Sequence, residues 1–326
     1  MTAMSHGILC QQPFRRHDPS VVKAIPYGVF DKDAAEEISA AITASALVVD
    51  CSASIAVGRY ISHKLAGNTR AVSFFMNPSG TSLIMLLESS ARSTRLDTLE
   101  MQYYRMLIRE SALSEHLKSD QRVLYASTCR GTSLVYPQDN AAIFSGFCSK
   151  AIKETQISEE ASVSIWVVNG LALERYEELG EIFEEVACDS WHMKISPTVL
   201  EKLYSQRENK LPNETGGILI GTYDFAHNIC YIVDSIDSPS DSEEYPNAYI
   251  RGHNGLKDEV MRIENISIGN LTYVGEWHSH PSNDTRPSGD DLILLKSISE
   301  FTYSQGNPGC MMILGERNYS IHLGCR

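Results

Sequence analysis

The chain has 326 residues, 43% of them hydrophobic and 21% charged, with a formal net charge of −13. That length suits two domains of ordinary size, and the composition excludes a fibrous or disordered chain. The negative charge is spread over both halves, which argues against nucleic acid as the main partner, because binding it takes a cationic face that displaces phosphate counterions. Acidity of this kind fits solubility or a basic protein partner.

Eight cysteines, at positions 10, 51, 129, 148, 188, 230, 310 and 325, are scattered without a CxxC pair and read as reduced thiols. The opening MTAMSHGILCQQPFRRHDPS lacks the apolar core of a signal peptide. No apolar run approaches the ~20 residues of a membrane span, so a cytoplasmic protein is expected.

In chain order, ALVVDC (46–51) reads as a short strand and the segment from Ser54 to Leu65 as a helix. AVSFFMNPSG (71–80) is a strand ended by a turn, and TSLIMLLES (81–89) a third strand. A long helix follows around 97–118, another near 139–153, then the strand VSIWVVNG (163–170) and an acidic helix at 172–187. Strands alternating with helices predict an α/β layer structure. From Ser190 onward, SPTVLEKLYSQREN opens with a Ser-Pro helix start, and TGGILIGTYD and NICYIVDSID read as strands. SPSDSEEYPN (238–247) reads as an exposed loop. A helix (255–267), the strand LTYVGEWHSH (271–280), a helix (288–301) and the strands CMMILGE and YSIHL close the chain.

The stretch GEWHSHPSNDTRPSGDD, residues 275 to 291, carries the most chemistry. On a strand, side chains two apart share a face, so His278 and His280 present both imidazoles to one point while Ser279 faces away. Pro281 cannot continue the ladder and turns the chain out. Ser288 and Asp291, three apart at a helix start, share a helix face. Two imidazoles and a carboxylate make three ligands of a tetrahedral zinc with a fourth position open, the arrangement of a catalytic site. Ser-x-x-Asp is also close to a capping box, and so has a purely stabilising reading. In NETGGILIG (213–221), Glu214 precedes two glycines and a strand expected in the same sheet as the histidines. It reads either as an exposed turn residue or as a base close to the ion.

Glu214 followed by H-x-H-P-x6-S-x-x-D, as His278, His280, Pro281, Ser288 and Asp291, resembles the JAMM (MPN+/JAB) metalloprotease signature, particularly its prokaryotic branch with ETGG before the first strand. The resemblance covers about residues 190–326. It implies a JAMM/MPN (cytidine-deaminase-like) α/β domain over 189–326, with one Zn2+ per chain as the cofactor. The implied activity is isopeptidase cleavage after the carboxyl terminus of ubiquitin or a ubiquitin-like protein. Zinc lowers the pKa of a bound water from ~15.7 toward ~7. Glu214 is then the general base turned general acid, and Ser288 a hydrogen-bond donor to the oxyanion. Glu276 and Trp277 are assigned to packing or support of the histidines, and His253 and His322 to the surface or a sheet edge.

ALVVDCSASIAVGRYISHKLAG with FFMNPSGTSLIMLLES resembles the latter half of a ThiF/MoeB-type adenylating domain, over residues 20–170. This implies a partial Rossmann-like α/β domain within a first unit of 1–188. It departs from that family in lacking any G-x-G-x-x-G or P-loop for ATP phosphates. Asp50-Cys51-Ser52-Ala53 also stands where the family has Asp-Cys-Thr-Asp. The first half is therefore expected to recruit the ubiquitin-like substrate or to complete an activating- or conjugating-enzyme-like partner, not to activate anything alone. Cys129, in STCRGTS, reads as an ordinary loop thiol in preference to a thioester cysteine. Expected partners are a ubiquitin-like or sulfur-carrier protein substrate, with no nucleic acid and no membrane. Deconjugation in a bacterial system, such as one directed against phage, is one reading. Trimming of a sulfur carrier is a second, and a non-catalytic scaffold a third.

Overall fold

The computed structural model describes residues 25, 27–64, 69–118, 124–125, 132–133, 136–155, 157–304 and 306–324. Cys129 lies outside them. Helix α1 (Ala35–Thr43) leads into strand β1 (Leu47–Asp50), helix α2 (Ile55–Lys64), strands β2 (Arg70–Met76) and β3 (Ser82–Leu87), and helix α3 (Leu96–Arg109). Two-residue strands β4 (Leu124–Tyr125) and β5 (Thr132–Ser133) pair with each other. Helix α4 (Gln138–Thr155) and strands β6 (Ser162–Asn169) and β7 (Ala172–Leu179) complete the first half.

Its sheet runs β1-β2-β3-β6-β7. Only β1 and β2 are parallel, joined through α2 as one βαβ unit, and the other three pairings are antiparallel. That single unit is what the sheet shares with a Rossmann-like arrangement. The apolar residues of its central strands divide by the period of two. Phe74, Leu83, Met85 and Trp166 pack with Phe144 of α4, while Ile84, Leu86, Val163 and Ile165 pack with α3.

The acidic run 172–187, expected as a helix, is extended: β7 and then strand β8 (Glu184–Cys188). The cause is the two-residue hairpin loop Gly170-Leu171 between the paired residues Asn169 and Ala172, with Gly170 at φ +62. Among the described residues β7 pairs only with β6, and its charges lie on the exposed sheet edge, where they guard against further pairing. The helix expected over 97–118 stops at Arg109, and a single 3₁₀ turn at Ser111–Leu113 follows.

The second half comprises strand β9 (Trp191–Ile195), helix α5 (Pro197–Lys210), strands β10 (Gly216–Asp224) and β11 (Ile229–Ile236), and a short hairpin of β12 (Glu243–Tyr245) and β13 (Ala248–Ile250). Helix α6 (Leu256–Ser267), strand β14 (Thr272–Ser279), helix α7 (Gly289–Tyr303) and strands β15 (Gly309–Leu314) and β16 (Tyr319–Gly324) follow. A seven-stranded mixed sheet runs β16-β15-β14-β10-β11-β9-β8. It takes its edge strand from Glu184–Cys188, on the N-terminal side of the 188/189 boundary drawn from the sequence. The stretch 238–247, read as a loop, contributes its last residues to the β12–β13 hairpin.

One face of this sheet carries α5, with Leu200 and Leu203 against Leu219, Val274 and Trp277. On the other face Ile218, Tyr231, Val233 and Ile263 join the same apolar cluster as Leu99, Tyr103 and Leu107 of α3. Every α3 residue from Leu96 to Ile108 is buried, because this helix has a sheet on either side. Two of its arginines pair with residues beyond the first sheet: Arg105 donates to Ser196 Oγ (2.6 Å) and to Glu181, and Arg109 Nε donates to Asp234 Oδ2 (3.1 Å). The described cysteines, Cys51, Cys148, Cys188, Cys230 and Cys310, are free thiols. Among the described residues no helix is long and apolar enough to cross a membrane.

Candidate metal centre

Strand β14 runs through the sheet between β10, antiparallel, and β15, parallel. Gly216 faces His278 in the β10 ladder. The ladder extends one step further, since Ser279 N donates to Thr215 O at 2.7 Å, so Glu214 stands opposite His280. Opposite residues of an antiparallel pair share a face, as do residues two apart on one strand. Glu214, His278 and His280 therefore emerge on one side of the sheet.

Pro281 ends the strand, and residues 281–288 carry the chain back to α7, whose first turn holds Asp291 over the histidines. His278 Nε2 lies 3.1 Å from Asp291 Oδ1, and His280 Nε2 lies 3.7 Å from Asp291 Oδ2. One ligand atom from each of the three lies within 4.8 Å of the other two. The His278 nitrogen is buried and, despite its nearness to the carboxylate, makes no hydrogen bond. A buried donor or acceptor left in this way is costly, and a cation at the common point of the three groups resolves it. His280 Nδ1 sits 2.7 Å from the carbonyl oxygen of Asp284. That bond fixes the ring and leaves Nε2 to face the centre, the usual outer support of a metal-ligating histidine. The donor set fits a divalent ion of the zinc type.

The electrostatics agree. The two histidines hold the Asp291 carboxyl well below its ordinary range against the opposing effect of burial, and Asp291 in turn raises the His280 imidazole. Burial pushes the Glu214 carboxyl up, partly countered by His280 and His278. Glu214 is 9% exposed and lines the same cleft as the three candidate ligands.

Ser288 serves the helix as well as the cleft. Its Oγ accepts from Asp291 N (3.2 Å), and Asp291 Oδ2 accepts from Ser288 N (2.7 Å), a complete capping box. The stabilising reading of Ser-x-x-Asp is thus correct, and the same cap aims the Asp291 carboxylate. Because Ser288 Oγ accepts in this bond, its hydroxyl hydrogen remains free to donate toward the cleft.

Residues that sequence reasoning passed over hold the frame. Arg207 of α5, 1% exposed, donates to the carbonyls of His280 (2.9 Å) and Pro281 (2.7 Å), fixing the turn after the histidines. Ser279 Oγ accepts from Thr215 N (3.1 Å), clipping the Glu214 segment to β14. The β12–β13 hairpin forms one wall of the cleft. Glu214 N donates to Tyr245 O (2.8 Å), and Glu244 accepts from Thr215 Oγ1 (2.7 Å) and Lys210 (2.6 Å). A Cβ on Gly216 would strike the Trp277 carbonyl and the Tyr249 ring, so glycine is required where β10, β14 and the hairpin meet. The only sequence signal for these supports is Ser279's place between the histidines.

Glu276 pairs bidentately with Arg251 (2.9 and 3.0 Å) and Trp277 is buried in the core, both in supporting positions. His253 is exposed, and His322 is partly buried with Nε2 2.9 Å from Ser320 Oγ on β16; neither joins the cluster. In the first half, the Asp50 carboxylate accepts from Ser73 Oγ (2.8 Å) and Ser52 N (2.9 Å), and Cys51 is exposed.

Residues 196–322 match the family described as prokaryotic homologs of the JAB domain. A protein from Enterobacter hormaechei subsp. hoffmannii, named CD-NTase/cGAS isopeptidase, is 36% identical over 121 residues, which are 37% of this chain and 66% of that relative. A probable metalloprotease, y4qB, from Sinorhizobium fredii is 26% identical over 131 residues, 39% of this chain and 79% of its own. A solved JAB1/MPN domain protein from Archaeoglobus fulgidus aligns with 40% of this chain and 87% of its own at 21% identity, with a TM-score of 0.25. The chain thus spans just under two thirds of the first of these relatives. Residues 196–322 thus match a JAB/MPN domain of the prokaryotic type, and the relatives over this stretch are named as an isopeptidase and a probable metalloprotease.

Proposed function

We propose that the chain is a zinc-dependent isopeptidase or peptidase that cleaves after the carboxyl terminus of a ubiquitin-like protein within a bacterial modification system. The observation that carries this reading is the convergence of His278, His280 and Asp291 on one point beside the buried carboxylate of Glu214. In a scaffold that only binds, no such carboxylate needs to be held there against the cost of its burial. The relative named CD-NTase/cGAS isopeptidase supports deconjugation, within a system directed against phage, over trimming of a sulfur carrier.

His278, His280 and Asp291 would hold the ion, and a bound zinc supplies a Lewis acid and nucleophile activation at neutral pH. Glu214, opposite His280, takes a proton from the attacking water and delivers it to the leaving amine. The Ser288 hydroxyl donates to the oxygen on which negative charge develops. The β12–β13 hairpin shields the cleft from one side and positions Glu214 through its backbone bond to Tyr245.

The test is metal analysis of the purified protein together with cleavage of two fusions, one joined after a ubiquitin-like Gly-Gly end and one after a sulfur-carrier end. Zinc in the wild type and cleavage lost in Glu214→Gln are expected, with the first fusion preferred. Absence of zinc, or a Glu214→Gln protein that cuts as fast as wild type, overturns the assignment. Preference for the second fusion moves it to carrier trimming.

A further inference from the structure

A second set of two histidines and an aspartate lies where the halves of the chain meet. His63 belongs to the last turn of α2 in the first half, Asp224 ends β10, and His227 lies in the turn before β11 in the second. One ligand atom from each lies within 4.8 Å of the other two, the same closeness as in the cleft. We propose that His63, Asp224 and His227 form a second divalent-metal site, of the nitrogen and oxygen chemistry that suits zinc, which clamps α2 to the JAB-type sheet.

Three observations carry this. First, the imidazoles of His63 and His227 are packed 4.3 Å apart between centroids and tilted by 35°, closer than the 5.3 Å of His278 and His280. Second, Asp224 is 4% exposed and already shaped as a ligand. Its Oδ2 lies 3.0 Å from His227 Nδ1, while Oδ1 accepts from the backbone of Ala226 (3.0 Å) and His227 (3.2 Å) and so fixes the turn. Third, behind His63 stands Asp97, 1% exposed, with Oδ2 at 3.6 Å from His63 Nε2. That oxygen accepts from Lys194 (2.6 Å) and Tyr231 (2.9 Å), but Asp97 Oδ1 is buried with no partner. The same His63 nitrogen lies 3.5 Å from the Tyr231 hydroxyl, so Asp97 acts on the ring through its charge and not through a hydrogen bond.

The charges around the set favour a cation. Arg59 lies 3.6 Å from Asp224 Oδ2, yet its guanidinium is engaged bidentately by Glu100 at 3.1 and 3.0 Å. Among the described residues Asp97, Glu100 and Asp224 thus face Arg59 and Lys194 alone, which leaves a negative excess in a largely buried place. Nothing comparable to Glu214 stands here, and both neighbouring cations are tied to carboxylates, so the site is structural and not a second reaction centre.

The proposal does not depend on the peptidase reading, and the experiment keeps the two apart. In the full-length chain, His280→Ala with Asp291→Asn removes two ligands of the cleft. This protein is loaded with zinc, desalted and analysed for metal, then titrated with Co2+ and followed by visible absorption. About one equivalent of zinc per chain and a saturable cobalt spectrum are expected, with a melting temperature that rises on adding zinc. No bound zinc in this protein overturns the proposal. His63→Gln with His227→Gln, in an otherwise wild-type chain, should lower zinc content by one equivalent. Unchanged content overturns it too. If the junction variant does not fold, the cleft variant still decides.

Discussion

The cleft and the junction hold the same three side-chain types at the same closeness, yet their neighbours differ. Beside His278, His280 and Asp291 stands Glu214, a buried carboxylate that no lysine or arginine pairs among the described residues, in an open cleft with a free serine hydroxyl. Beside His63, Asp224 and His227 stand Arg59 and Lys194, each locked to a carboxylate, with Asp97 behind the ring. A donor set of two imidazoles and one carboxylate therefore states what can bind, while the groups around it state what can happen there. An uncompensated carboxylate beside an open position makes a base, and compensated charges make a fastening.

The sharpest way to break this contrast is Glu214→Gln. It should reduce cleavage by about 10²–10⁴-fold, the usual worth of a positioned general base, while zinc content is unchanged. A comparable loss from removing a neighbour of the junction set, such as Glu100→Gln, would erase the distinction. Next comes Asp291→Asn, expected to weaken metal binding in the cleft by more than the about 10–100-fold that loss of an outer-shell partner costs. A competition assay with a chromophoric chelator reads this directly.

The frame supplies smaller effects. Arg207→Met leaves the partly buried carbonyls of His280 and Pro281 without this donor, and should cost about 2 kcal/mol, the low end of the roughly 1–3 kcal/mol for each unsatisfied buried group. Urea denaturation measures it. The pH dependence follows from burial. Since the Glu214 carboxyl lies above its ordinary value, the ionised form needed by a base is lost early as pH falls. In the metal-free protein the Glu214 carboxyl should therefore titrate above the range of a free glutamate, about 4.3, which NMR of the side-chain carboxyl reads. For folding the sign is opposite: with a raised folded-state value, the stabilising contribution belongs to the protonated form and disappears as pH rises through that value. Metal-free Glu214→Gln should accordingly melt no lower than wild type at neutral pH. Smallest of all, Ser279→Ala removes one hydrogen bond to Thr215 N and should cost about 0.5–1.5 kcal/mol, with kcat falling more than stability because Glu214 is the neighbour set free.

The cleft was legible because its rules are local. His278 and His280 obey the strand period, Ser288 and Asp291 the geometry of a first helical turn, and Glu214 follows once β10 is paired with β14. The junction set shows no such pattern: His63 stands far from Asp224 in the chain, and only the packing of α2 against the second sheet brings it there. Arg207 was hidden for the same reason, since an arginine in a polar helix gives no hint that its guanidinium ends at a strand terminus. The extended acidic run at 172–187 was misread for a different cause. Its charges suggest a solvated helix, whereas the Gly170-Leu171 loop makes a hairpin, and the edge position of β7 explains why charge is wanted there.

Helix α3 gives the architecture a further property. Because the same rod serves as inner lining for two separate sheets, neither half retains a complete interior once the chain is divided near residue 189. The excised C-terminal portion would present the naked Tyr231 and Val233 flank to solvent and should clump. Grafting the C-terminal portion elsewhere would first demand repainting that flank with polar side chains.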